Sequence, residues 1–200
     1  MTEHYYSRNT SKKSERKKWS VTLQGKSFTF FSDHAVFSKD GVDFGSRTLV
    51  ETFTSPEVEG DILDIGCGYG PIGLALASDS PSRSVVMVDV NARALELAKV
   101  NAEENGINNV EILESDGAGA VKDRTFAAVV TNPPIRAGKK TVHRIFEEAA
   151  HVLKEGGELW VVIQKKQGAP SAETKLKELF KEVHLIRKNK GYYIFKAKKV

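Results

Sequence analysis

The chain contains 200 residues, 40% hydrophobic and 28% charged, which is the composition of a globular protein with a substantial core. No apolar run approaches the length needed to span a bilayer, and the N-terminal residues lack the apolar segment of a secretory signal. One cysteine, Cys67, excludes an internal disulfide framework. We therefore expect a cytoplasmic protein without a membrane partner.

The net charge is +4, and the basic residues are clustered along the chain. They gather near the N-terminus, at the C-terminus and after the sequence TNPPI, where Arg136, Lys139 and Lys140 follow one another closely. Such clusters either contact the phosphates of a partner or form solvated surfaces and tails. Charge alone leaves both interpretations open.

The first part of the chain predicts an extension that packs on a larger core. The segment WSVTLQGKSFTFFSD predicts a hairpin with a turn near Gln24 and Gly25, because alternating apolar residues flank that pair. The segment HAVFSKDGVDFGSRTLVETF predicts a loop that leads into a helix from about Gly45. We assign residues 1–45 to the extension and residues 46–200 to the core of a single domain.

From Asp61 onward, short apolar runs alternate with helical patterns. Strands are predicted at 61–66, 84–90, 109–117, 124–134 and 158–164, and helices at 71–78, 91–106, 139–157 and 171–180. Residues 181–199 predict two antiparallel strands around a turn at Asn189 to Gly191. Because βαβ crossovers place helices on the faces of a sheet, the predicted fold is α/β, with a doubly wound, mostly parallel seven-stranded sheet and a C-terminal antiparallel hairpin.

A glycine-rich loop follows the first core strand and opens the first core helix, in the segment LDIGCGYGPIG. Gly66, Gly68 and Gly70 permit a tight turn and a close approach of the backbone to a ligand. In open α/β sheets, ligands bind at the carboxyl ends of the strands, where this loop lies. Asp64 favours a cationic, amine-bearing ligand, because its charge would repel a pyrophosphate.

The same loop permits a second interpretation. The segment GYGPIG matches the G-x-G-x-x-G pattern of dinucleotide-binding proteins, and Asp89 follows at the distance expected for an acid that binds a ribose. An NAD-dependent oxidoreductase is therefore an alternative, although it leaves the later proline pair unexplained. Asp89 and Asp116 also stand at positions where acids commonly cap helices.

The segment TNPPI ends the fourth core strand with two prolines. Proline lacks an N–H and fixes φ, so Pro133 and Pro134 terminate the strand and stiffen the turn. Asn132, which precedes them, is driven toward extended geometry. The turn therefore presents an amide side chain rigidly at the carboxyl end of a strand, unless it is an ordinary strand-ending turn.

DIGCGYGPIG resembles motif I of the class I S-adenosylmethionine-dependent methyltransferases, and NPPI resembles motif IV of their amino-methylating branch. The resemblance implies a Rossmann-like fold and S-adenosylmethionine as the cofactor, with Asp89 on the ribose hydroxyls and Asp116 near the adenine amine. It implies no metal, and the five histidines show no ligand spacing. The cofactor-binding residues implied are Asp64, Gly66, Gly68, Gly70, Asp89, Asp116 and Asn132.

The same resemblance implies that Asn132, Pro133 and Pro134 are the catalytic residues. The Oδ1 atom of Asn132 and the carbonyl of Pro133 would accept hydrogen bonds from the two N–H groups of a target amine. Because proline lacks an N–H and has a fixed φ, the carbonyl of Pro133 would stay directed at the target amine. Protein glutamine methyltransferases also use an N-P-P-type loop, so a protein glutamine amide, or another amino-bearing small molecule or base, is an alternative target.

The order of HYYS, VFSKDGVDFGSR, ENGINNVEILESDG and TNPPIRAGKK resembles the ribosomal RNA small-subunit methyltransferases that modify a guanine exocyclic amine. The partner implied is ribosomal RNA or the small ribosomal subunit, with Arg136, Lys139 and Lys140 on phosphates. Amino-methylating relatives often carry an aromatic residue after the prolines, where this chain has Ile135. We expect the base to pack on Ile135 or on Phe37, which is equally a candidate for the core.

The best-known members of that subfamily carry two methyltransferase-like halves, and this chain matches the half that has the cofactor motifs. We therefore expect the basic N-terminus, or a second copy in a homodimer, to assist the docking of RNA.

Overall fold

The computed structural model describes residues 16–33, 36 and 41–200. The strands are β1 (Lys17–Leu23), β2 (Lys26–Ser32), β3 (Ile62–Ile65), β4 (Val85–Asp89), β5 (Val110–Glu114), β6 (Phe126–Thr131), β7 (Leu153–Gln164), β8 (Glu182–Asn189) and β9 (Tyr192–Lys198). The α-helices are α1 (Phe44–Thr52), α2 (Pro71–Asp79), α3 (Ala92–Glu104), α4 (Lys139–Val152) and α5 (Ala169–Leu179).

Strands β3 to β9 form one seven-stranded sheet in the order β5-β4-β3-β6-β7-β9-β8. The strands from β3 to β7 pair in parallel, whereas β9 pairs antiparallel with both β7 and β8. This arrangement confirms the predicted doubly wound sheet with its C-terminal hairpin. The strand order reverses between β3 and β6, and the carboxyl ends of these strands form the switch point at which ligands bind in such sheets.

The central strands β3, β4 and β6 are buried throughout, because helices cover both faces of the parallel sheet. Successive residues of a strand point to opposite faces. Ile62 and Met87 therefore pack with α1, α2 and α3, whereas Leu63 and Val86 pack with α4 and α5. Among the described residues, no helix is long and apolar enough to cross a bilayer.

The predicted N-terminal hairpin is confirmed as a separate two-stranded sheet that docks on α3. Asn101 accepts a hydrogen bond from the N–H of Phe31 at 2.7 Å and donates to its carbonyl at 3.0 Å. Asn105 makes the same pair of bonds with Thr29, at 2.9 and 2.8 Å. Each amide side chain satisfies both backbone groups of one residue on β2, so α3 completes the edge of the hairpin.

The predicted end of the helix that follows the fourth core strand is wrong. The helix predicted at 139–157 ends at Val152, because Leu153 is extended, at φ −74° and ψ 139°, and begins β7 opposite Phe126. An apolar residue fits a buried helix or a buried strand equally well, so periodicity could not place it. The division at residues 45 and 46 falls inside α1, which begins at Phe44 after its N-cap, Asp43.

Candidate active site

The glycine loop between β3 and α2 exposes its backbone at two of the three predicted glycines. Gly66, Gly68 and Gly70 have φ of 74°, 57° and 104°, a region that disfavours residues with a Cβ. A Cβ on Gly66 or Gly68 would meet nothing within 4 Å, whereas one on Gly70 would lie 2.9 Å from Leu74 and from Met87. The first two glycines therefore leave room for a ligand, and the third is required by the packing of α2.

Asp64 lies in β3 and is fully buried. Its Oδ2 atom accepts a hydrogen bond from the N–H of Gly73 at 2.9 Å, while Oδ1 has no hydrogen-bond partner in the described part of the chain. The pKa of this carboxyl is raised to about 7, chiefly by burial and to a smaller extent by the nearby charge of Asp89, while the hydrogen bond from Gly73 lowers it. An unpartnered carboxylate oxygen in the interior fits a donor or a cation supplied by a bound ligand.

Gly73 is a residue that the sequence prediction did not single out. A Cβ at this position would lie 2.7 Å from Met87 Cγ and 2.9 Å from Asp64 Oδ2, so a side chain would push α2 away from the sheet. Its N–H belongs to the first turn of α2, where the helix dipole favours a negative group. The last glycine of the GYGPIG pattern was the available signal.

Asp89 joins the end of β4 to the glycine loop. Its Oδ2 atom accepts a hydrogen bond from the N–H of Gly68 at 2.8 Å, and its Oδ1 atom accepts one from the N–H of Asn91 at 2.9 Å. Burial raises the pKa of Asp89, and the hydrogen bonds from Asn91 and Gly68 act in the opposite direction. The N-cap of α3 is Asn91, as predicted, so the alternative that Asp89 caps this helix is wrong.

Asp116 follows β5 and belongs to an ion-pair network with α4. Its Oδ1 atom accepts a hydrogen bond from Arg144 Nη2 at 2.7 Å, and Arg144 Nη1 donates to Glu148 Oε1 at 2.7 Å. Glu148 in turn accepts a hydrogen bond from the N–H of Ala118 at 2.7 Å. Arg144 and Glu148, which the sequence prediction missed, therefore tie the loop after β5 to α4; their i, i+4 spacing was the only signal.

Asn132 follows β6 and is held by the segment that starts α1. Its Nδ2 atom donates one hydrogen bond to Asp43 Oδ2 at 3.1 Å and another to Ser46 Oγ at 3.0 Å. Both N–H groups of the amide are thus used. In the described residues, no partner occupies its Oδ1 atom, which is left as an acceptor for another molecule.

The two prolines after Asn132 have different backbone roles. The carbonyl of Pro134 accepts a hydrogen bond from the N–H of Ala137 at 3.0 Å, which closes a short 3₁₀ turn over Ile135–Ala137. The carbonyl of Pro133 accepts no backbone hydrogen bond from the residues that the structure describes. Asn132 Oδ1 and the Pro133 carbonyl are therefore adjacent acceptors at the carboxyl end of β6.

The predicted substrate residues continue from this turn into α4. Ile135 is half-buried and borders a cleft of about 110 Å³, together with Lys139, His143 and Ser171. Arg136 and Lys139 are exposed, and so is Lys140. Phe37 and most of the basic N-terminus lie outside the described residues. Within residues 16–33, 36 and 41–200, no group of three or more histidine, cysteine or acidic side chains is arranged to hold a metal ion.

The strand order, the C-terminal antiparallel hairpin and the glycine loop after β3 define the class I methyltransferase fold. The sequence model of the family described as "Methyltransferase small domain" matches residues 27–196. The chain belongs to this family. Its cofactor is S-adenosylmethionine, as the sequence predicts, because the family is one of methyltransferases and a solved structure that resembles the chain contains AdoMet. This decides between the two interpretations of the glycine loop.

Two relatives illustrate the range of similarity. The chain is 63% identical over 201 residues to an uncharacterized protein, YbxB, from Bacillus subtilis (strain 168), and the match covers 100% of both chains. It is 38% identical over 131 residues to the ribosomal RNA small subunit methyltransferase C of Salmonella choleraesuis (strain SC-B67). That second match covers 64% of this chain and 37% of the relative.

A solved structure resembles most of the chain. It is the 16S rRNA N2 G1207 methyltransferase (RsmC) of T. thermophilus, in complex with AdoMet and guanosine. The TM-score is 0.82 at 27% sequence identity, with 92% of this chain and 51% of that chain covered. This chain therefore spans about half of the RsmC structure and a smaller share of the Salmonella enzyme.

Proposed function

We propose that the protein transfers the methyl group of S-adenosylmethionine to the exocyclic amine of a guanine in small-subunit ribosomal RNA. The observation that carries the proposal is the amide of Asn132, whose nitrogen is fully engaged by Asp43 and Ser46 and whose oxygen is available. The carbonyl of Pro133 is the second acceptor. An amine that donates two hydrogen bonds is the group that fits such a pair.

Two hydrogen-bond acceptors can activate a purine amine for methylation. The nitrogen lone pair is delocalised into the ring, so the amine is a weak nucleophile. Hydrogen bonds accepted by Asn132 Oδ1 and the Pro133 carbonyl favour a pyramidal nitrogen and direct its lone pair toward the methyl group. The cofactor supplies an activated methyl group on its sulfonium, and the protein supplies position. Alignment of this kind can contribute on the order of 7–11 kcal/mol.

We assign the cofactor to the carboxyl ends of β3, β4 and β5. The open backbone at Gly66 and Gly68 gives it close access, and Asp89 lies beside Gly68. Asp116 stands at the end of the neighbouring strand, where we place the adenine amine. The unpartnered Oδ1 of Asp64 lies on the same edge and suits the positive charge of the cofactor. Gly70 supports the loop from beneath, and Asn132 faces the methyl group from β6.

The RNA proposal rests on exposed charge beside the amine site and on the relatives. Arg136, Lys139 and Lys140 follow the proline turn directly and are exposed. We place them on the phosphates that flank an unpaired or flipped guanine, because a base within a duplex cannot reach such a site. The Salmonella and T. thermophilus relatives are both named as methyltransferases of small-subunit RNA. We place the reaction in the cytoplasm.

The base itself needs an apolar surface to pack on. Ile135 is adjacent to the prolines, and Phe37 stays a prediction. Among the described residues, Phe44 and Tyr192 offer an aromatic surface, with ring centroids 5.6 Å apart. Phe44 directly follows Asp43, whose carboxylate accepts a hydrogen bond from Asn132, and we therefore propose this aromatic pair as a surface for the base.

The proposal is tested by the destination of a labelled methyl group. Purified protein is mixed with methyl-labelled S-adenosylmethionine and, in separate reactions, with unmodified small-subunit particles, naked ribosomal RNA or total protein. Asn132→Ala is compared with Asn108→Ala, an exposed asparagine in the loop before β5, at the opposite edge of the sheet. We expect label in RNA with the wild type and with Asn108→Ala, but not with Asn132→Ala. Label in protein instead would establish the amide alternative, and label in neither would contradict the substrate assignment.

A further inference from the structure

We infer that Asp43 and Ser46 are positioning residues that fix the orientation of the Asn132 amide, so that its oxygen and not its nitrogen faces the target amine. The inference rests on the proposed function, because it concerns the same acceptor site. It assigns to the start of α1 a part in the chemistry, in addition to any part of the N-terminal extension in binding RNA.

The geometry of the contact dictates the orientation of the amide. Asp43 Oδ2 accepts hydrogen bonds from Asn132 Nδ2 at 3.1 Å and from the N–H of Ser46 at 3.0 Å. Ser46 Oγ accepts the second hydrogen bond of Asn132 Nδ2, at 3.0 Å. An ionised carboxylate can only accept hydrogen bonds, so the nitrogen of the amide must face Asp43 and the oxygen must face away.

Orientation matters because the two ends of an amide have nearly the same shape. Packing alone does not distinguish the oxygen of Asn132 from its nitrogen, and rotation about the last side-chain bond exchanges them. In the exchanged orientation, an NH₂ group would face an amine that is itself a donor. The acceptor would be lost without any change in the fold, so a fixed partner on the nitrogen side is required.

The start of α1 is itself packed tightly, so it can fix the position of Asp43 and Ser46 beside Asn132. Leu49 and Val50 are fully buried, and Gly45 lies so close to Tyr192 that a Cβ would stand 2.8 Å from its ring. The same segment also reaches the cofactor side, since the hydroxyl of Tyr69 in the glycine loop donates a hydrogen bond to the carbonyl of Gly41 at 3.2 Å. One segment thus contacts both the glycine loop and the asparagine turn.

The kinetic test separates this role from the capping of α1. Serine caps helices about as well as aspartate, so Asp43→Ser keeps the cap but is too short to reach Asn132. We expect kcat for methyl transfer to RNA to fall about 10- to 100-fold, with the KM for S-adenosylmethionine and the melting temperature unchanged. Asp43→Asn places an amide oxygen where the carboxylate oxygen was and should restore most of the rate. A wild-type kcat in Asp43→Ser would overturn the inference.

A second measurement does not depend on the substrate. The side-chain amide of Asn132 is observed by NMR in ¹⁵N-labelled protein and assigned by its loss in Asn132→Ala. We expect two separate, exchange-protected N–H signals in the wild type, and loss of that protection in the double variant Asp43→Ser with Ser46→Ala. Exchange as rapid as that of a solvated asparagine in the wild type would overturn the inference. If the wild type methylates no RNA, the proposed function fails, and the NMR result still decides whether the amide is fixed.

Discussion

The Oδ2 atom of Asp64 accepts a hydrogen bond from the N–H of Gly73 at 2.9 Å, while the other oxygen of the same buried carboxyl has no partner in the described part of the chain. One contact therefore joins β3 to the first turn of α2, and we propose that the other oxygen faces the cofactor. A carboxyl in this position resists ionisation, and its pKa is raised to about 7 by burial.

Asp64→Asn should stabilise the protein in a manner that depends on pH. Between the ordinary pKa of 3.8 and about 7, the unfolded carboxyl loses its proton and the folded one keeps it, so wild-type stability falls as pH rises through this window. Asparagine does not ionise, so the stability of the variant does not fall in this pH window. Its advantage in the free energy of unfolding should therefore grow from pH 4 to 7 by an amount on the order of 4 kcal/mol and then level off.

Urea unfolding at a series of pH values measures this difference. Asp123→Asn, at an exposed aspartate, controls for the change in net charge. If the difference in the free energy of unfolding between Asp64→Asn and the wild type is the same at every pH, the raised pKa does not belong to this carboxyl.

Alanine at Gly68 should abolish cofactor binding at a modest cost in stability. Gly68 and Gly106 have similar φ, 57° and 63°, and a Cβ would meet nothing within 4 Å at either residue. Both substitutions should therefore cost about 1–2 kcal/mol of backbone strain. Only the Cβ at residue 68 would stand in the space that we assign to the cofactor. Calorimetric titration with S-adenosylmethionine should show binding to Gly106→Ala and none to Gly68→Ala; equal affinities would place the cofactor elsewhere.

Arg144→Gln should weaken cofactor binding slightly by loosening the loop after β5. The lost pairs with Asp116 and Glu148 are partly exposed, and exposed ion pairs contribute roughly 0.2–1 kcal/mol. The Kd should therefore rise by up to about fivefold. Arg124→Gln is a matched control, because the side chain of Arg124 is 37% exposed against 38% for Arg144 and also pairs with two carboxylates. A similar rise in both variants would indicate a general loss of stability.

Arg136→Ala should weaken RNA binding and flatten its dependence on salt. If Arg136 meets one phosphate, its removal should lower the slope of log K against log salt concentration by roughly 1, through the loss of counterion release. The control is Lys181→Ala, an exposed residue between α5 and β8 at the opposite edge of the sheet. Binding of RNA measured at several salt concentrations with an unchanged slope for Arg136→Ala would remove Arg136 from the interface.

The parts of the fold and site that depend on one short segment could be predicted from the sequence. The glycine loop, the proline turn and the strand-terminal acids each lie within one short segment, and apolar runs identify buried strands. The contacts of Asp43 and Ser46 with Asn132 could not be predicted in this way, because these residues lie 89 and 86 positions away from it in the sequence. Only the path of the chain brings them together. The end of α4 was missed for a different reason, since Leu153 suits either element.

The most direct test of the central claim is the nucleoside composition of small-subunit ribosomal RNA from cells that lack the gene. We predict that one N2-methylguanosine is lost, that wild-type protein and Asn108→Ala restore it, and that Asn132→Ala does not. An unchanged content of N2-methylguanosine in those cells would show that the protein does not methylate a guanine of this RNA.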